Sequence, residues 1–269
     1  MALAQRPSPI GKKVSLFVTC IVDMVYPQTG MSVVDILEHL GVRVDFPEAQ
    51  TCCGQPGFNA GYREEAREVA RQFLRAFKDA EVIVTPSGSC AAMVRHEYPT
   101  LFEDDPLYKL AAERAASITW EFTEFVVDGL GITDLHLRFP EPRTFTFHDA
   151  CHGLRMLGLG KAGRILLEKA ENARVIEMRD AETCCGFGGL FSVKMPDVSG
   201  AMLQKKMTCI RDSTADTVVT GDAGCLTHIN GGLSRQQDEK RVQHIADVLA
   251  SALPEEPDVK TSAPKATSL

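Results

Sequence analysis

Eight of the nine cysteines in this 269-residue chain fall into two series of the same form, and that pattern constrains its fold more than any other feature. The first series is Cys20, the pair Cys52–Cys53 followed by Gly54, and Cys90. The second is Cys151, the pair Cys184–Cys185 followed by Gly186, and Cys225. From single cysteine to pair the step is 32 residues in one series and 33 in the other; from pair to last cysteine it is 37 and 40. Local context agrees, since Thr51-Cys52-Cys53-Gly54 answers Thr183-Cys184-Cys185-Gly186. A unit duplicated and fused accounts for this. The halves are read as residues 14–137 and 138–253, divided where Arg138-Phe139-Pro140-Glu141-Pro142 breaks the periodicity. Residues 1–13 are read as a flexible N-terminus and the polar, Pro-rich residues 254–269 as a disordered tail.

A chain of this length buries a core without disulfides. Its net charge of −7 and lack of a Lys/Arg stripe argue against a nucleic-acid partner. No apolar run reaches 18 residues, so no membrane span is expected, and the first 13 residues lack the apolar core of a secretory signal. The expected location is therefore cytoplasmic, where thiols stay reduced and cysteine enrichment points to metal or redox chemistry.

Each half reads as α/β. In the first, strands at Val14–Val18, Val42–Phe46 and Val82–Val84 alternate with a helix stopped by Gly41 and with an amphipathic helix carrying Ala66, Ala70, Phe73 and Phe77. The second repeats the order with strands at Phe145–Phe147, Arg174–Ile176 and Val218–Val219. Such alternation predicts two pseudo-symmetric repeats, each a parallel sheet flanked by helices. Every cysteine of both series follows a strand, and all strands of a parallel sheet end on one edge, where ligands bind. Four sulfurs per half should therefore converge, enough for a Cys₄-bound iron–sulfur cluster. The adjoining glycines, Gly54 and Gly186 foremost, allow the backbone to approach such a core closely.

Two other chemistries remain open for these sulfurs. Structural zinc also takes four cysteines, so zinc in one half is an alternative, although neither half has the usual C-x₂₋₄-C knuckle. Dithiol exchange at the vicinal pairs is the other. His148 and His152 flank Cys151 and are candidate donors around a bound group, or ordinary loop-end histidines. Cys209 lies on a helical face with Met202, Leu203 and Ile210 and reads as a core thiol. Gly186-Phe187-Gly188-Gly189 lacks the GK[ST] of a phosphate loop.

The segments Ser15-Leu16-Phe17-Val18-Thr19-Cys20, Cys52-Cys53-Gly54-Gln55-Pro56, Pro86-Ser87-Gly88-Ser89-Cys90 and Cys184-Cys185-Gly186-Phe187-Gly188-Gly189 resemble the cysteine-rich CCG-domain family. That family includes the cysteine-rich component of heterodisulfide reductase and the iron–sulfur component of glycolate oxidase, and the resemblance is strongest to its lactate-utilisation branch, between about Val14 and Ala252. It implies an iron–sulfur electron-transfer subunit in a three-protein system that oxidises L-lactate to pyruvate; the four thiolates of each half point to one cluster of the 4Fe-4S type per repeat. Its partners would be the companion lactate-utilisation proteins, a second iron–sulfur protein among them. The family pattern ends each half in C-x-x-C, whereas this chain has Ser87 and Asp222 three residues before Cys90 and Cys225. Each half thus keeps four thiolates, with Ser87 and Asp222 as candidate oxygen ligands, though oxygen is a poorer partner for cluster iron. The departure weighs against a disulfide reductase of the heterodisulfide type, the alternative function.

Overall fold

The computed structural model describes residues 6–254. Its eight strands form two sheets: β1 (Val14–Leu16), β2 (Val44–Asp45), β3 (Val82–Thr85) and β4 (Thr119–Glu121) in the first, and β5 (Arg138–Phe147), β6 (Glu171–Val175), β7 (Thr217–Thr220) and β8 (Val242–His244) in the second. The strand orders are β2-β1-β3-β4 and β6-β5-β7-β8, the same arrangement twice, and every pairing is parallel. The two-repeat α/β architecture read from the cysteine spacing is therefore present. In each sheet the chain leaves the central strand to one side for its second strand and to the other for its third. That reversal opens a crevice at the carboxyl edge.

Each sheet has a fourth strand beyond the three read from sequence. β4 is Thr-Trp-Glu and β8 is Val-Gln-His, too short and polar to stand out as apolar runs. The stretch Arg138–Pro142 is the opening of β5, and the pairing with β6 shifts register between Arg138 and Arg143. Two prolines cannot donate to a ladder, which fits a strand irregular at its start.

Within the segment read as a flexible N-terminus, Arg6 and Pro9 are buried while Pro7, Ser8, Ile10 and Gly11 are exposed. Arg6 lies 3.5 Å over the Trp120 ring and its guanidinium meets Glu124 at 3.0 Å, so a desolvated ion pair and a cation–π contact tie it down. Residues 1–5, and the tail from 255 onward, lie outside the described residues.

The helices follow their sequence signals. Pro27–His39 begins on a proline, which loses nothing at a first turn, and ends before Gly41 in a left-handed conformation. Arg63–Ala76 buries Ala66, Ala70, Phe73 and Leu74 at helical spacing. The principal core is shared between the halves: Val14, Val33, Ile36 and Phe125 belong to the same buried cluster as Phe145, Leu166, Val219 and Ile245. Full burial of such side chains stabilises by about 1.5–3 kcal/mol each. The halves are thus cemented into one body. Thr29 donates to Asp247 across the seam at 2.8 Å, and the Pro86 carbonyl lies 2.9 Å from His244 Nε2.

Candidate metal centre

The loops after β1, β2 and β3 bring Cys20, Cys52, Cys53 and Cys90 together. Cys20 Sγ donates to Cys52 Sγ at 3.6 Å, and Cys53 Sγ to Cys90 Sγ at 3.4 Å. The second half repeats the inner pair, with Cys185 Sγ donating to Cys225 Sγ at 3.4 Å, while Cys151 Sγ lies 3.6 Å from His152 Nδ1. The eight thiols line one cavity, open between the two carboxyl edges, together with Ser87, Gln55, His152 and Phe187. All nine cysteines are free thiols.

Local backbone explains the convergence. Gly54 and Gly186 sit at φ +82° and +92°, where a side chain would be strained, and their amides donate to the Sγ of Cys52 and Cys184, each at 3.4 Å. Thr19, directly before Cys20, holds φ +74°, a costly conformation for a β-branched residue that turns the chain into the site. Cys90 and Cys225 lie in the first turns of helices Gly88–Ala92 and Ala223–Arg235.

Ser87 and Asp222 cap those two helices. Ser87 Oγ accepts from the Cys90 amide at 3.4 Å, and Asp222 Oδ1 accepts from the Gly224 and Cys225 amides at 3.0 and 3.3 Å. The residues also face each other across the pseudo-twofold axis as an antiparallel bridge, with Asp222 Oδ2 taking the Ser89 amide at 2.9 Å. Ser87 reaches the thiol cavity, whereas the Asp222 carboxylate is occupied by donors from both halves.

The thiols differ in acidity in the same way in both halves. Hydrogen bonds from Cys20, then Cys53, pull the Cys52 thiol down to about 3; those from Cys151 and Cys185 pull Cys184 down to about 2. The donors move up: Cys20 through its bond to Cys52 and burial, Cys151 through its bond to Cys184 and burial. Cys53 and Cys185 are also raised, first by their bonds to the neighbouring cysteine. In each half one thiol is thus favoured as thiolate, and its hydrogen-bonding neighbours hold their protons until a metal ion displaces them. The soft donor sets, the glycine backbone and the amides aimed at sulfur fit a thiolate-held metal or iron–sulfur group.

Of the two histidines singled out, His152 lies with Nδ1 3.6 Å from Cys151 Sγ. His148 is buried without a hydrogen-bond partner for either ring nitrogen, and burial, then the nearby Lys206, pushes its pKa down to about 3. A nitrogen of this neutral ring and the sulfurs of Cys185 and Cys225 lie within 4.8 Å of one another. Cys209 is buried in the helix Pro196–Asp212, with Sγ 4.0 Å from Asp180 Oδ2 and away from the cavity.

Sequence reasoning missed three neighbours of the site. Tyr98 donates to the Cys53 carbonyl at 2.9 Å, His228 lies 3.3 Å from Ser199 Oγ, and Lys206 is fully buried. His228 was findable, since it lies one helical turn after Cys225. Lys206 was findable as a charge interrupting the apolar face of its own helix.

A cysteine-rich domain model, CCG, matches residues 14–95 and 145–230, and the chain belongs to that family. More particularly, it is 47% identical over 241 residues to Lactate utilization protein A of Geobacillus kaustophilus (strain HTA426), covering 88% of this chain and 98% of that protein. It is 46% identical over 239 residues to Lactate utilization protein A of Bacillus cereus (strain B4264), covering 89% and 99%. Among solved structures, a hypothetical protein from Helicobacter pylori shares the fold at a TM-score of 0.63 and 11% identity, over 92% of this chain and 50% of that one. This chain thus spans half the length of that structure. Among the described residues, no helix is long and apolar enough to cross a membrane.

Proposed function

We propose that this protein is the iron–sulfur electron-transfer subunit of a multi-protein system oxidising L-lactate to pyruvate. The observation that carries the reading is the pair of four-cysteine sets lining one cavity at the carboxyl edges of two like-ordered sheets. Similarity to proteins named for lactate utilisation supports the substrate. Cys20, Cys52, Cys53 and Cys90 would hold one group, and Cys151, Cys184, Cys185 and Cys225 the other, each a 4Fe-4S cluster. Such clusters take up and release one electron at a time. Around them the chain supplies amides from Gly54 and Gly186 to sulfur, the Phe187 ring lines the cavity, and Tyr98 holds the Cys53 carbonyl from behind. The open mouth between the edges offers a companion iron–sulfur protein a short path to either set, and the protein would work in the cytoplasm. Elemental analysis of anaerobically purified protein tests the reading. About four iron and four sulfide per half are expected. Stoichiometric zinc without sulfide in both halves would refute it and favour a zinc scaffold, while metal-free protein with redox-active thiols would favour dithiol exchange.

A further inference from the structure

The two thiol sets rest on different floors. Phe17 and His148 occupy equivalent places: each follows the central strand of its sheet, lies three residues before the first cysteine, and donates its amide at 2.8 Å to the third strand, at Val84 and Val219. Phe73 and Lys206 are also equivalent. Gly54 abuts the Ala66 carbonyl and Val69, and Gly186 abuts the Ser199 carbonyl and Met202; Phe73 and Lys206 each lie seven residues beyond those carbonyls. In the first half the pair is two phenyl rings, edge to face at 4.9 Å and fully buried. In the second it is an imidazole and an ammonium, equally buried.

A buried Lys is expensive unless something requires it. Lys206 donates to the Asp180 and Ala181 carbonyls at 2.6 and 3.1 Å, which satisfies hydrogen bonds without cancelling a charge. The nearby carboxylates have their own partners. Asp149 pairs with Arg164 at 2.8 Å, and Asp180 lies 3.7 Å from Lys205. Burial lowers the Lys206 pKa from its ordinary value, and its charge acts on Cys225 and His148 alongside that of Asp222, which acts in the opposite sense. Asp222 also faces the second set, but its charge is spread over donors from both halves, Ser87 and Ser89 on one side and Gly224 and Cys225 on the other.

We propose that the His148–Lys206 pair makes the second thiolate set the electron-accepting one, so that its cluster has the higher reduction potential and the first half, floored by Phe17 and Phe73, the lower. Adding one electron adds one negative charge. A fixed cation and an orientable N–H dipole stabilise that charge in a low-dielectric interior, and phenyl rings do not. This rests on the iron–sulfur reading and gives it a direction, from the first half to the second.

The test is an EPR-monitored titration of the anaerobic protein with dithionite as reductant, preceded by iron, sulfide and zinc analysis. The signal belonging to each half is identified by its loss in Cys53→Ser or Cys185→Ser. In the unmodified protein the second-half signal should appear first. Lys206→Gln, which keeps a donor and removes the charge, and His148→Phe, which copies the first half, should each lower that signal's midpoint alone; a tenfold change in the reduction equilibrium reads as 59 mV for one electron. Equal midpoints or the reverse order in the unmodified protein would overturn the proposal without reliance on any variant. So would midpoints unmoved in both variants at full iron content. Zinc in place of iron and sulfide would instead remove the iron–sulfur reading itself, and the elemental analysis separates that outcome from the others.

Discussion

Gly186 is the most constrained residue at the thiol cavity. A Cβ there would stand 2.7 Å from the Ser199 carbonyl oxygen and 2.9 Å from Met202 Cβ, on a backbone at φ +92°. At Gly54 the nearest atom would be 3.3 Å away. Left-handed backbone alone costs about 1–2 kcal/mol for a non-glycine residue. Gly54→Ala should therefore lower stability by about that amount and Gly186→Ala by clearly more, as read from urea midpoints; equal losses would mean that the helix carrying Ser199 yields freely. The cysteines separate by place as well. Cys53→Ser or Cys185→Ser should remove iron from its own half, whereas Cys209→Ala, buried against Asp180 away from the cavity, should leave the iron content unchanged. Equal iron loss in all three variants would discredit the ligand assignment. These cysteines could be read from sequence because duplication wrote their spacing twice. Tyr98 could not be read as a neighbour of the site, because its approach to the Cys53 carbonyl depends on how its helix lies across the sheet.

At the level of elements, the helix starts at Ser87 and Asp222 join the halves as well as capping. Asp222→Asn keeps an oxygen for the Gly224 amide but turns an NH₂ group toward the Ser89 amide, so the bond across the axis is lost. Hydrogen bonds to a charged acceptor contribute about 1.5–3 kcal/mol. Asp222→Asn should cost about that much, and Asp222→Ala should cost about 1 kcal/mol more as the cap goes too; equal unfolding midpoints for the two variants would argue against separate roles. The end of β4 holds another poised group. Glu121 is buried and caps the short helix Phe122–Glu124, and desolvation raises its pKa from 4.5 to about 7. The folded state thus keeps this proton where the unfolded chain has lost it. Stability should fall as pH rises from about 4.5 to about 7, by about 3 kcal/mol at most, and level off above. Glu121→Gln should flatten that slope in urea titrations across the window; an unchanged slope would assign it to another group. Neither β4 nor β8 was legible, since a three-residue strand carries too little alternation to be recognised, whereas Val82–Thr85 and Thr217–Thr220 stand out by their β-branched runs.

At the scale of the whole molecule, the principal core and the thiol-lined cavity each draw on both repeats. Two like-ordered sheets follow from the duplication seen in sequence, but their fusion through Val14, Phe125, Phe145 and Ile245 does not, because apolar faces show that burial occurs without naming the partner face. The cavity between the edges is lined by cysteines, glycines, a few polar groups and the apolar Ile21, Pro56, Phe187 and Ala223. It has no strand–GxGxxG–helix fingerprint for a nicotinamide or flavin to take a hydride from a 2-hydroxy acid. Lactate oxidation removes two electrons and two protons, and thiolate-held clusters accept electrons singly without taking hydride. The purified, flavin-free chain should therefore fail to reduce an artificial acceptor with L-lactate, even at full iron and sulfide content. Companion lactate-utilisation proteins should restore the activity, and they should do so poorly with Cys53→Ser or Cys185→Ser, which interrupts the electron path within one half. Turnover by the isolated chain would make it an enzyme in its own right and refute the subunit reading. Failure of the complete, iron-replete mixture would leave the clusters standing and remove lactate as the substrate.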